Sequence, residues 1–142
     1  MLNRRQTLLM PLAMLSSKAL LAGNGAEDCG GFIARYRTMP TQALSLKTAA
    51  RLDVEPASDL GLITVLLQNK GDNRALRAEL DLVLSNSAGR MSSLRMREIM
   101  DGGQPLYVAI FDYKMGEDLT FALTVNVSGE PPRSFKFVER LN

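Results

Sequence analysis

Cys29 is the single cysteine of a 142-residue chain that contains no histidine and no tryptophan. It stands in Ala26-Glu27-Asp28-Cys29-Gly30-Gly31. A thiol without a partner in its own chain can pair with another protein, carry an adduct or a lipid, or stay inert. The carboxylates of Glu27 and Asp28 disfavour a neighbouring thiolate and so oppose nucleophilic use of the sulfur. Asp28 also fills the place before the cysteine where lipoprotein signals use a small residue.

Softer chemistry is offered by Met91, Met96, Met100 and Met115, whose thioethers suit Cu(I). Methionine also fills irregular apolar gaps, and packing is the simpler use of these four. Arg90, Arg95 and Arg97 share the segment with three of them and form a candidate interaction surface for an anion or a partner. Asp53 with Glu55, and Glu117 with Asp118, are the nearest carboxylate pairs, but Ca²⁺ takes six or more oxygen ligands and neither pair approaches that density.

The rest of the catalytic repertoire is thin. Zero histidines exclude every triad that uses His as its base. One cysteine and no histidine cannot build a Cys/His zinc site. No phosphate loop of the GxxxxGK type is present, and Asp101-Gly102-Gly103 suits a hairpin turn. The residues therefore predict no enzyme, no cofactor and no metal site.

The elements that must position these residues begin with a leader. In Asn3-Arg4-Arg5-Gln6-Thr7-Leu8-Leu9 two arginines precede the apolar run Leu8 to Leu15. That order is a signal-peptide layout. It resembles the bacterial twin-arginine (Tat) export motif, departing from it at Thr7 where a Phe is common, and the resemblance covers this leader alone. It implies export to the periplasm or beyond. Pro11 and Lys18 interrupt the run, which falls short of the ~20 apolar residues a bilayer-spanning helix needs, so no stable membrane span is expected. Small residues place cleavage near Ala19 or Ala26, giving an export signal peptide over residues 1–26 and one domain over 27–142.

Three of the 17 basic residues and none of the 15 acidic ones lie in that leader, so the remainder carries a formal charge of −1. The basic-domain route to nucleic acid is thereby closed.

Downstream, apolar residues recur with period two between turn residues, the pattern of half-buried strands. Leu119, Phe121, Leu123, Val125 and Val127 point one way in Asp118 to Ser128, and Leu76 to Leu84 repeats the alternation in Arg74 to Ser85. Further strands are expected over Gly31 to Thr38, Leu44 to Val54, Leu60 to Asn69, Met91 to Met100, Leu106 to Tyr113 and Ser134 to Leu141. Leu44 to Val54 would also tolerate a helix around Lys47 to Arg51.

Turn lengths then suggest registers. A two-residue turn at Gly71-Asp72 sets Ile63 opposite Leu80 and Leu67 opposite Leu76. A three-residue turn at Ser87-Ala88-Gly89 sets Asp81 opposite Arg95 and Glu79 opposite Arg97. A loop over Lys114 to Glu117 sets Ile110 opposite Phe121 and Val108 opposite Leu123.

Together these features predict an all-β fold, an immunoglobulin-like antiparallel β-sandwich of seven or eight strands preceded by a signal-peptide helix, without the antibody-type disulfide and tryptophan. The expected function is a non-enzymatic binding or assembly protein of the periplasm or cell surface. It would act through sheet edges and loops on another exported protein or a fibre subunit. The alternative is a small redox or metal-handling carrier using Cys29 or the methionines.

Overall fold

Why the chain folds as two sheets rather than one meander is decided at three cross-sheet connections. The computed structural model describes residues 23–142. Its strands are β1 (Gly23–Asp28), β2 (Phe32–Pro40), β3 (Leu60–Asn69), β4 (Ala78–Asn86), β5 (Met91–Leu94), β6 (Arg97–Asp101), β7 (Gln104–Asp112), β8 (Asp118–Val127) and β9 (Arg133–Arg140), with one short α-helix, α1 (Leu46–Leu52), preceded by a 3-10 turn over Thr41–Ala43. One sheet runs β1-β2-β3-β7-β6 and the other β5-β4-β8-β9, every pairing antiparallel. The chain changes sheet after β3, after β5 and after β7, which is the immunoglobulin-type alternation of a β-sandwich.

The inward faces form one core. Phe32, Ile63, Leu67, Leu82, Phe121, Leu123 and Val125 are among its buried members. All five residues expected inward on β8 are buried. A second, smaller cluster of Met39, Leu52, Val54, Leu62 and Val108 sits on the outer face of the first sheet, beneath the β2–β3 crossover.

Several expectations are corrected. There are nine strands among the described residues, because β1 is a strand and Met91 to Met100 is broken into β5 and β6 in different sheets. Leu44 to Val54 is not a strand. Ser45 accepts a hydrogen bond from the Thr48 amide and caps α1, whose end is set by Asp53 at φ 57°. The expected strand from Arg74 begins only at Ala78.

The Gly71-Asp72 register holds locally: Gln68 bridges Ala75 and the Leu76 amide donates to the Leu67 carbonyl. The turn itself is longer, with Asn73 at φ 61° and the Asn69 side chain accepting from Gly71 and Asp72. Beyond Leu76 the chain leaves for the other sheet, so Leu80 lies opposite Val125, not Ile63. Likewise β7 and β8 belong to different sheets. Ile110 pairs with Leu62, and Phe121 pairs with Leu84 and Phe137.

Among the described residues no helix is long and apolar enough to cross a membrane. The Arg4-Arg5 leader and the Ala19 cleavage position lie outside the described residues. Ala26 lies within β1, opposite Arg35.

Candidate functional site

Cys29 follows β1 directly and is buried in the main core. Its amide donates to the Phe32 carbonyl at 2.8 Å, and its Sγ lies 3.7 Å from the Glu27 carbonyl oxygen. Burial, then the Glu27 carboxylate, pushes the thiol pKa up. The adjoining turn is tied by Asp28, which accepts from the Gly30 amide at 2.9 Å and pairs with Lys70 at 2.6 Å. Lys70 and the Gly30 amide hold the Asp28 carboxyl below its ordinary range. The geometry gives Cys29 the surroundings of a packed core thiol.

The three arginines are dispersed. Arg90 lies in the β4–β5 turn, where its amide donates to the Asn86 side chain. The turn has the expected three residues, with Gly89 at φ 84°, and Leu82 to Ser85 pair with Met91 to Leu94 in the expected register. That ladder stops before Asp81 and Arg95. Arg97 has moved to the other sheet, where it pairs with Val108 and its guanidinium donates to the Leu52 carbonyl at the end of α1, at 3.0 Å. Glu79 lies beside Asn126, so the Glu79–Arg97 pair does not exist. Arg51 meets Asp101 at 3.6 Å on the same side as Arg97.

The methionines do not converge either. Met91 and Met115 are exposed on separate loops and edges, while Met96 packs against the core. Met100 Sδ lies 3.8 Å from an Arg77 guanidinium nitrogen that also contacts Glu98 at 3.3 Å. Glu98 in turn accepts from the Tyr107 hydroxyl at 3.2 Å, and that hydroxyl accepts from the Ala78 amide at 3.0 Å. Burial raises the Tyr107 pKa. Glu79, Asn126, Val127 and Ser128 complete the lining of an open cleft of about 440 Å³ here. The Arg77–Glu98–Tyr107 relay fastens the start of β4 to the opposite sheet, a structural use for each group. Asp53 caps α1 and Asp118 pairs with Arg140 at 2.8 Å, so neither carboxylate pair assembles a cation site. No group of three or more His, Cys, Asp or Glu capable of holding a metal occurs among the described residues.

Each sheet ends in two edge strands, β1 and β6 in the first and β5 and β9 in the second, and β9 with eight residues is longer than the six, five and four of β1, β6 and β5. In an antiparallel sheet each residue turns both backbone groups toward the same neighbour, and successive residues alternate. The Asn86 amide donates to Arg90, so Asn86, Leu84 and Leu82 serve β5. Phe121, opposite Leu84, must then serve β9, and Phe137, opposite Phe121, serves β8. Ser134, Lys136, Val138 and Arg140 therefore direct their N–H and C=O groups away from the sheet, because β9 is its last strand.

Beneath that edge Tyr36 stacks on Phe137 at 3.8 Å, and Phe137 stacks on Phe121 at 5.1 Å. Val138 is 60% exposed on the outer face. Glu139 faces inward opposite buried Leu119, and burial pushes its carboxyl pKa up. No ion pair holds Lys136 or Glu139 among the described residues. Sequence analysis did not single these residues out. The signal was there in the alternation Phe135, Phe137, Glu139, Leu141, which puts one charge in an apolar series.

The class is thus an immunoglobulin-like β-sandwich domain with an eight-residue terminal edge strand. The chain belongs to the family described as "Domain of unknown function (DUF4426)", whose model matches residues 26–141. A crystal structure of a DUF4426 family protein from Pseudomonas aeruginosa PAO1 is similar to it with a TM-score of 0.73 and 22% identity, covering 84% of this chain and 94% of that one. A copper-bound variant of FetP from uropathogenic Escherichia coli strain F11 is similar with a TM-score of 0.62 and 7% identity, over 84% of this chain and 95% of that one. FetP recombinantly expressed in the E. coli periplasm gives a TM-score of 0.58 and 9% identity, over 85% and 98%. No curated protein sequence matches the chain.

Proposed function

We propose that this protein is a non-enzymatic, exported binding protein that receives an extended segment of another exported protein along the free edge of β9. The observation that carries the reading is the alternation just derived: four consecutive outward-facing residues, each with an unpaired donor and acceptor, lie along one accessible strand. Main-chain bonds to such an edge supply affinity for an extended chain. The Arg4-Arg5 leader motif supports export, and replacing both arginines by lysine should then retain the precursor in the cytoplasm. Normal export of that variant would reject the twin-arginine route.

Proline at Val138 removes one free donor while leaving the β8 ladder intact, since the Val138 amide points to the open side. A partner captured from the native host by the wild-type chain should be retained by Val138→Ala and lost by Val138→Pro. Its binding should slow hydrogen exchange at Ser134, Lys136, Val138 and Arg140. Full retention by Val138→Pro, or no added protection at those amides, would overturn strand addition at β9.

The likeness to a copper-bound variant of FetP bears on the metal-carrier alternative. The donors here do not fit copper. The chain has no histidine, Cys29 is buried with a raised pKa, and Glu98 and Met100 both face the same Arg77 guanidinium.

A further inference from the structure

The edge of β9 carries its own selection rule. Its outer face presents Lys136 and its inner face presents Glu139, three residues apart. Adding a strand desolvates both, and a desolvated charge without a partner is costly.

Antiparallel pairing requires residues whose backbone groups both face the new neighbour to lie opposite each other, which on β9 means Ser134, Lys136, Val138 and Arg140. A second copy of this chain meets that requirement only in registers that leave Lys136 or Glu139 without an opposite charge. A two-fold axis at Lys136 sets Glu139 opposite Arg133 but that lysine opposite its own copy. An axis at Phe137 sets Glu139 opposite Phe135, and an axis at Val138 sets Lys136 opposite Arg140. An axis at Phe135 overlaps only the stretch from Arg133 to Phe137. Lys136 opposite Glu139 would match charges, but it joins an outward-directed backbone to an inward-directed one and faces the side chains to opposite sides of the sheet. Like charges directly opposite destabilise a ladder and a desolvated charge without a partner is costly, and no long register gives both Lys136 and Glu139 an opposite charge, so self-pairing is disfavoured.

We propose that β9 accepts an antiparallel strand of a different protein that carries Lys or Arg opposite Glu139 and, three residues later, Asp or Glu opposite Lys136. The residues between them, facing Phe137 and Val138, are apolar or β-branched, extending the Phe135–Phe137 surface. This inference rests on the strand-addition reading and specifies its partner.

The test uses the full chain and two capped peptides, Val-Thr-Lys-Val-Val-Asp-Val-Thr and its charge exchange Val-Thr-Asp-Val-Val-Lys-Val-Thr, with affinities measured by calorimetry. The first peptide should bind at least tenfold more tightly. The paired substitution Lys136→Glu with Glu139→Lys should invert the preference. Equal affinity for both peptides, each abolished by Val138→Pro, would overturn the charge rule while leaving strand addition standing. Binding of neither peptide at millimolar concentration would overturn both. A concentration-dependent dimer of the free chain that Val138→Pro dissolves would overturn the exclusion of self-pairing.

Discussion

Replacing Phe121 by alanine tests the core and the register together. The ring is 0% exposed and sits at the junction of both sheets. It meets Phe111 of β7 edge-on at 5.2 Å and 77°, and stacks on Phe137 of β9 at 5.1 Å and 12°. Truncating a buried Phe costs about 3–5 kcal/mol through lost transfer energy and the cavity left behind. Within that total each ring contact contributes about 0.5–1.5 kcal/mol. A domain of this size has a stability of about 5–15 kcal/mol, so the variant should remain folded in water but lose a large share of its margin. With a urea slope of about 2 kcal/mol per molar, the midpoint should fall by about 2 M. Equilibrium urea unfolding followed by circular dichroism reads this directly, and Phe121→Leu should cost under about 1.5 kcal/mol as a control that largely fills the space. A loss under about 1 kcal/mol for the alanine variant would mean that Phe121 does not bridge the sheets, and the pairing of β8 with β9 would need to be redrawn.

Glu139→Gln should raise stability at neutral pH and remove the fall in stability that Glu139 contributes as pH rises. The native carboxyl pKa is raised by burial, so the native state binds the extra proton between the ordinary and the raised values and stability falls as pH rises through that window. Parallel pH titrations of thermal midpoints that leave the two curves superimposed would contradict this. Gly89→Ala should cost about 1 kcal/mol from its φ of 84° alone, since nothing lies within 4 Å of an added Cβ, and Gly89→Asn should cost less when both are compared by urea denaturation. Cys29 should react with a disulfide reagent only slowly at pH 8 in the native chain and at once in urea, because the thiol is buried and its pKa is raised; rapid native labelling would contradict its place in the core.

Strand identity was legible where alternation was uninterrupted, as in β8, where each expected inward side chain is buried. Pairing was less so, for a specific reason. A turn such as Gly71-Asp72 or Lys114 to Glu117 fixes the register of the residues next to it, but neighbouring strands in a sandwich can belong to opposite sheets. The Leu67–Leu76 bond obeys the turn and Leu80 does not. The β4–β5 turn does fix its register, because both strands stay in one sheet for four pairs. Arg97 then crosses over after Leu94, which broke the expected charge ladder. In α1 a serine cap and the alanines at Ala49 and Ala50 outweighed a weak period-two pattern.

The same crossings bear on why the proposed binding surface is β9. The outer face of the first sheet is already occupied: the β2–β3 crossover brings Leu52 and Val54 over Leu62 and Val108, and Arg97 ties α1 down through Leu52. On the second sheet β5 covers β4 along Leu82 to Ser85, and the Tyr107 hydroxyl takes the Ala78 amide where β5 has ended. Among the described residues no strand pairs with the outer side of β9, although its ring-lined inner face and long backbone edge would make an aggregation-prone template. Lys136 and the inward Glu139 counter that hazard, since charges at an edge penalise indiscriminate pairing. A purely protective device would be served by any two charges. Opposite charges on opposite faces do more, because they penalise a second copy and admit a strand of complementary pattern.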